Sequence, residues 1–219
     1  INVLKPTAVI PLMYETWEFR HGDVDLDACR RRGIKVVGTN EDFPGFDVFT
    51  YSGFLCLKLL LEAQIEVHKS KIIIVSGDKF GKVISTHMQQ LGVDVCLLTS
   101  IQAIKFHDCK DIDALILADY FNRNCLIGKE GQISAKELSE YLPGVTLIQV
   151  AGWVDIHEVY EAGLHIYPGY DLGPNRMVKT LAWLGPRPVV ELHAMGLKVG
   201  EIYYGKSGET NFYGLGNQL

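Results

Sequence analysis

The sequence contains no apolar run long enough to cross a membrane. Its apolar stretches, such as residues 54–61, are broken by Lys58 or fall well below the roughly 18 residues that a transmembrane helix needs. Basic residues are not in excess either: 21 Lys and Arg stand against 26 Asp and Glu, a formal net charge of -5. We therefore expect no membrane span and no nucleic-acid partner.

Cysteine is scarce, and no two cysteines form a C-x-x-C pair. The five thiols are scattered and odd in number, a usage typical of a reducing compartment, so we expect a cytoplasmic location. His107-Asp108-Cys109 contains two possible metal ligands, but no second pair lies at the spacing of a zinc site. We expect no bound metal.

The residues that are present predict an α/β fold. The chain has 219 residues, 47% of them hydrophobic and 21% charged, as in an ordinary globular protein of one or two domains. Short β-rich runs alternate with segments of helical period, which indicates a doubly wound, Rossmann-like parallel sheet. We predict strands at 8–12, 35–37, 72–75, 93–98, 114–117 and 145–150, and helices at 26–32, 47–66, 81–91, 134–141 and 155–162.

Four segments follow from this alternation. Residues 1–46 form a first lobe, and residues 47–70 a linker helix between the two lobes. Residues 71–170 form a Rossmann-like nucleotide-binding domain, and residues 171–219 the C-terminal helices and tail, with a break at the prolines of 185–188. The apolar faces of 177–184 and 189–202 exceed what such a chain can cover, so we expect a homodimer.

A strand, a tight turn and a helix start follow one another at residues 71–83. Glycines in such a turn let the backbone approach a pyrophosphate at the helix N-terminus, so the cofactor-binding candidates are Ser76, Gly77, Asp78, Lys79, Phe80 and Gly81. The pattern is S-x-D-x-x-G rather than G-x-G-x-x-G, and Asp78 brings a negative side chain toward the phosphates. Nucleotide binding and a purely structural turn both remain open.

Three further segments carry a resemblance to a known family. They are D-L-D-A-C-R-R-R-G-I-K-V at 25–36, L-I-G at 126–128 with Leu138 and Leu142, and L-I-Q-V-A-G-W-V-D at 147–155. In this order they resemble the D-2-hydroxyacid dehydrogenase family over residues 22–169. The resemblance implies a nucleotide-cofactor-binding oxidoreductase-like protein that acts on a small molecule. It also implies that residues 1–46 are a partial, reduced first lobe on the substrate side. It also adds Val150, Ala151 and Gly152 to the cofactor-binding candidates.

The departures from the family bear on catalysis. The family's catalytic Arg is expected directly after Ala151, where this chain has Gly152, and its catalytic His after Pro168, where this chain has Gly169. We therefore expect no oxidation of ordinary 2-hydroxy acids at family-like rates. Two alternatives stay open: a catalytically degenerate Rossmann scaffold that only binds or assembles, and S-adenosylmethionine-dependent group transfer at the same site.

The second strand of the nucleotide-binding domain favours NADP over NAD. It ends in Thr99 and Ser100, where an NAD enzyme places an acid on the ribose hydroxyls. Thr99, Ser100 and Lys105 offer hydroxyls and a cation to a 2′-phosphate.

Polar residues after two other strands are the catalytic candidates. Asp119 and Tyr120 follow the strand at 114–117, and His165 and Tyr167 follow Gly163. We expect them to meet in the crevice at the carboxyl ends of the strands. His165 ranks first as proton carrier, because imidazole exchanges protons near neutral pH, and the tyrosines rank as hydrogen-bond donors. The alternative is that Asp119 caps a turn and the tyrosines only pack.

Overall fold

The computed structural model describes residues 1–46, 48–107, 109–205 and 214–219. Asp47, which opens the expected linker helix, Asp108 of the possible metal-ligand triplet, and residues 206–213 of the expected tail lie outside the described residues. The chain divides into two compact units, one formed by Ile1–Phe49 with Gly185–Leu219 and one by Thr50–Leu184. None of the described helices is both long and apolar enough to span a membrane.

The described strands and helices alternate along the chain, and three short 3-10 helices connect them. In order, the elements are β1 (Val9–Pro11), a 3-10 helix (Thr16–Glu18), α1 (Leu26–Arg32), β2 (Lys35–Thr39), α2 (Thr50–Glu62), β3 (Lys71–Val75), α3 (Lys79–Gln90), β4 (Asp94–Leu98), a 3-10 helix (Ile101–Phe106), β5 (Ala114–Ala118), α4 (Ala135–Tyr141), β6 (Thr146–Ala151), α5 (Ile156–Glu161), β7 (His165–Tyr167), a 3-10 helix (Leu181–Leu184), α6 (Pro186–Tyr203) and β8 (Gly216–Gln218).

The discontinuous unit is built on a three-stranded sheet. β1 pairs with β2 in parallel, and β8 pairs with β2 antiparallel. Asp25 caps α1 by accepting a hydrogen bond from the amide of Ala28 at 2.8 Å, and α6 packs against β1 and β2. Cys29 and Val36 are among the residues of its core.

The unit Thr50–Leu184 is built on a five-stranded sheet in the order β4-β3-β5-β6-β7, with every strand parallel. The runs K-I-I-I-V of β3 and A-L-I-L-A of β5 are buried almost throughout, as strands covered on both faces must be. The predicted α/β, Rossmann-like fold class is confirmed.

Helices cover both faces of this sheet. Ile73 and Leu115 point to the face where Leu138 of α4 and Val159 of α5 complete a buried cluster. Ile72 and Ile74 point the other way and are just as buried, and α2 and α3 pack on each other and reach β6 and β3. This doubly wound arrangement places the residues that follow β3, β4, β5, β6 and β7 at one edge of the sheet, the carboxyl edge.

Candidate functional site

The turn between β3 and α3 is held by its own side chains. The Ser76 hydroxyl donates to Asp78 Oδ1 at 2.9 Å and accepts from the amide of Gly81 at 3.0 Å. Asp78 caps α3: its Oδ1 accepts from the amide of Phe80 at 2.9 Å. The amides of Phe80 and Gly81, on which a pyrophosphate would lie, therefore already have acceptors from within the chain.

A second carboxylate reaches the same turn from the end of β5. Asp119, 3% exposed, accepts from the amide of Gly77 at 3.1 Å through Oδ1 and from the Asn122 side chain at 2.9 Å through Oδ2. The other oxygen of Asp78, Oδ2, accepts from the amide of Phe121 at 3.1 Å. The ends of β3 and β5 are thus joined by two carboxylates, which we call the carboxylate pair, Asp78 and Asp119.

Burial and the neighbouring charge act together on Asp78. Burial raises the pKa of its carboxyl above the usual value of 3.8, and the charge of Asp119 adds to that rise, while hydrogen bonds from Phe121, Ser76 and Phe80 lower it in part. The pKa of Asp78 is therefore raised overall, which means that the ionised form of its carboxyl is less stable in this turn than it would be in water.

Gly81 is needed here for packing against the chain itself. A Cβ at this position would lie 2.4 Å from Ser76 Cβ and 3.0 Å from Leu97 Cδ1. The glycine that resembles the last glycine of a dinucleotide turn therefore lets α3 approach β3 and β4 closely.

Two of the three residues expected to select NADP, Ser100 and Lys105, have contacts of their own within the chain. Ser100 caps the 3-10 helix Ile101–Phe106 by accepting from the amide of Gln102 at 3.3 Å. Lys105 pairs with Glu137 of α4 at 2.6 Å, an interaction that raises the pKa of Lys105. Thr99 is exposed at the carboxyl edge.

Val150 and Ala151 end β6 and Gly152 follows it, all three buried on the carboxyl edge. Gln149, fully buried, donates to the Gly152 carbonyl at 3.2 Å and accepts from the amide of Tyr170 at 3.1 Å. The side chain of Gln149 thereby connects the segments that follow β6 and β7.

The structure does not bring the four catalytic candidates together. His165 opens β7 and pairs with Thr146, the first residue of β6, so it lies toward the amino edge of the sheet, whereas Asp119 follows the carboxyl end of β5. Tyr167 donates to Glu62 of α2 at 2.8 Å. Tyr120, 4% exposed, stacks on Phe80 with ring centroids 5.5 Å apart, so it packs inside the carboxyl edge.

A groove of about 1160 Å³ opens between the loops that follow β5 and β6, with Asp171 from the segment after β7. Trp153 and Tyr160 expose rings there, 37% and 55% accessible. Arg123 and Lys129 also line it, and neither has an ion-pair partner among the described residues. No residue of this groove was a site candidate from the sequence, although Trp153, two residues after the buried strand β6, was a usable signal. The lining consists of Arg123, Asn124, Cys125, Gly128, Lys129, Glu130, Gly131, Gln132, Trp153, Asp155, Ile156, His157, Tyr160 and Asp171.

Within the part of the chain that the structure describes, no three His, Cys, Asp or Glu side chains are grouped so that they could hold a metal ion.

No protein-family model matches the chain, and no curated protein matches it. Solved structures of similar fold do match. One is a chain of the dipicolinate synthase from Bacillus halodurans, with a TM-score of 0.54 and 10% identity over 83% of this chain and 64% of that one. The present chain thus spans less than two thirds of the length of that synthase chain.

Two other similar structures have more of their own length covered. The 2-hydroxyacid dehydrogenase from Ketogulonicigenium vulgare Y25 has a TM-score of 0.54 and 16% identity over 91% of this chain and 76% of that one. The pyruvate reductase of Chlamydomonas reinhardtii has a TM-score of 0.56 and 14% identity over 92% and 78%. The chain has the fold of the D-2-hydroxyacid dehydrogenases. The fold that the resemblance implied is confirmed, and the comparisons give no support to S-adenosylmethionine.

The turn does not fit the pyrophosphate of a dinucleotide in the geometry described. A phosphate over α3 would meet the carboxylate of Asp78 rather than open amides, with Asp119 behind it. Like charges at such short range repel, and the amides that would offset the repulsion are already hydrogen-bonded.

Proposed function

We propose that the chain is a small-molecule-binding protein on a D-2-hydroxyacid dehydrogenase scaffold that has lost the hydride-transfer chemistry of that family. The sheet and its carboxyl edge are retained for binding. The observation that carries the proposal is the geometry at the two positions where the family resemblance implies catalytic side chains.

Both positions are glycines with a positive φ, and in the present packing an added Cβ would come within 3 Å of a neighbouring side chain. Gly152 has φ +111°, and a Cβ there would lie 2.6 Å from Cδ1 of the buried Leu126. Gly169 has φ +64°, and a Cβ there would lie 2.9 Å from the Tyr160 hydroxyl oxygen and 3.1 Å from the Ile166 carbonyl oxygen. An Arg or a His at these positions would be strained by its backbone and by its neighbours.

Hydride transfer to or from a 2-hydroxy acid needs a base at the hydroxyl and a cation on the carboxylate. His165 lies toward the amino edge, away from the end of β5. Both oxygens of Asp119 are already used by Gly77 and Asn122, so this carboxylate is poorly placed to carry a proton to a ligand. The chain's own residues therefore support binding better than they support turnover.

The groove after β5 and β6 is the binding site that we propose. Its two exposed rings, Trp153 and Tyr160, suit a flat apolar part of a ligand, and Arg123 and Lys129 suit a polar end. A thermal-shift screen of small molecules tests it, since a ligand at 100 times its dissociation constant adds about 2.7 kcal/mol of stability. A hit that still stabilises a Trp153→Ala variant as strongly as the parent would contradict this site; Trp183→Ala, a similarly exposed tryptophan outside the groove, is the matched control.

The test of the lost chemistry is nicotinamide reduction with NAD or NADP and a panel of 2-hydroxy acids such as lactate and glycerate. We expect no reduction above the protein-free control, since loss of an acid-base group alone typically costs about 10²- to 10⁴-fold in rate. Robust reduction with any member of the panel would overturn the proposal.

Robust nicotinamide reduction would instead support a second candidate function, a nucleotide-cofactor-binding oxidoreductase that uses NAD or NADP. The strand, turn and helix of β3 and α3 and the dehydrogenase fold favour this second candidate. Its cofactor would lie along the carboxyl edge, and the choice between NAD and NADP would rest on Thr99 and Ser100.

Two further properties belong to the proposal. A cytoplasmic location is supported by five cysteines that are all free thiols. A homodimer is supported by the exposed apolar side chains of α6, and the mass of the protein in solution tests it.

A further inference from the structure

We infer that the carboxylate pair, Asp78 and Asp119, closes the N-terminus of α3 to phosphate groups, so that the protein selects against dinucleotides at the position where its fold would otherwise hold them. This inference does not depend on the proposed function, because it concerns which ligands the turn admits and not whether a reaction follows.

A helix N-terminus attracts phosphate through amides that lack acceptors within the helix. Here the Phe80 amide is held by Asp78 Oδ1 at 2.9 Å and the Gly81 amide by Ser76 Oγ at 3.0 Å. A phosphate would have to displace acceptors that are already at hydrogen-bond distance.

Asp78 occupies the middle glycine position of a dinucleotide turn, where any side chain projects toward the ligand. Asp78 Oδ2 is fixed by the amide of Phe121 at 3.1 Å, which comes from the end of β5, so the carboxylate is held at both oxygens. It cannot swing away from α3 without breaking hydrogen bonds to two elements.

Asp119 holds the Gly77 amide at 3.1 Å and is itself held by Asn122 at 2.9 Å. Displacement of Asp78 alone would leave a second buried negative charge beside the turn. The positive end of the α3 dipole is thus already compensated by carboxylates of the chain itself.

Pyrophosphate and NADH are the probes of the test, with the amide resonances of Phe80 and Gly81 and NADH fluorescence as readouts. For the parent protein we expect no shift of either amide with pyrophosphate and no saturable NADH binding. For Asp78→Gly we expect pyrophosphate and NADH to bind at least about tenfold more tightly than to the parent, since a charge is removed and an amide is freed.

Two variants control the result. Asp113→Asn removes a carboxylate that accepts from the Lys71 amide at 2.8 Å at the amino edge, and it should behave like the parent. Asp78→Asn keeps the shape of the side chain and part of the cap, so it decides the matter if Asp78→Gly does not fold. Saturable shifts of Phe80 and Gly81 in the parent would overturn the inference, and so would a folded Asp78 variant that binds pyrophosphate no better than the parent.

Discussion

At the residue scale, the contact between Gly81 and Ser76 predicts a stability effect. We expect Gly81→Ala to lower the free energy of unfolding by about 1 to 3 kcal/mol, the usual cost of overpacking, because the added Cβ would lie 2.4 Å from Ser76 Cβ. Urea unfolding measures this. Gly77→Ala is the control, since its Cβ would lie 3.3 Å from the nearest atom, the Thr99 carbonyl oxygen. Equal losses in the two variants would show that the Gly81 contact is unimportant.

Asp78 predicts a pH dependence of stability. Burial raises the pKa of its carboxyl in the folded chain above 3.8, so the folded state binds this proton more tightly than the unfolded state does. The stabilisation from the protonated Asp78 carboxyl is therefore complete below pH 3.8, and it is lost as the pH rises through the folded-state pKa. We expect the parent to lose stability relative to Asp78→Asn as the pH rises from 3.8 through the folded-state pKa of Asp78, as measured by urea unfolding. A difference that stays constant over that range would contradict the prediction.

The sequence predicted part of this site. The strand, the turn and the unusual charge of Asp78 are all visible at residues 71–83. The hydrogen bonds from the Gly77 amide to Asp119 and from the Phe121 amide to Asp78 are not visible in the sequence. They depend on β3 and β5 lying side by side in one register. Neighbours in the sheet that are far apart in the chain leave no local pattern.

At the scale of the elements, the buried strands were predicted well, whereas the short strands β7 and β8 were not. β3 and β5 lie within one residue of the predicted strands at each end, because unbroken apolar runs are a strong signal. β7 has three residues and β8 is G-N-Q, too short and too polar for a period to show. The predicted meeting of His165 with Asp119 depended on where β7 begins, and the register with Thr146 sets that start.

The connection between the ends of β6 and β7 predicts a second effect. Gln149→Leu would leave the Gly152 carbonyl and the Tyr170 amide without their partner, and we expect a loss of about 1 to 3 kcal/mol in the free energy of unfolding. Trp153 emission should change as well, since Trp153 follows Gly152. Gln90→Leu, on the exposed end of α3, is the control. An unchanged stability of Gln149→Leu would mean that water replaces these bonds at no cost.

At the scale of the whole molecule, α6 predicts self-association. Val190 and Leu197 are 62% and 67% exposed on this helix, which is apolar surface that pairing with a second copy would cover. We expect light scattering at tens of micromolar to give the mass of a dimer, and Val190→Asp with Leu197→Asp to give that of a monomer. A monomeric parent would exclude the homodimer, and a dimeric double variant would place the interface elsewhere.

The pairing of β8 with β2 has a consequence for the order in which the protein is made. Val37 and Gln218 are partners in one sheet, while all of Thr50–Leu184 lies between them in the chain. During synthesis the unit Thr50–Leu184 has all its strands once Leu184 has left the ribosome. The strand β2, in contrast, can pair with β8 only when the C-terminal residues have been made. A nascent chain stalled shortly before residue 216 would thus have a complete five-stranded sheet and, in the other unit, an unpaired edge on β2. An unpaired strand edge is a site of aggregation, so this is the stage at which we expect a chaperone to bind.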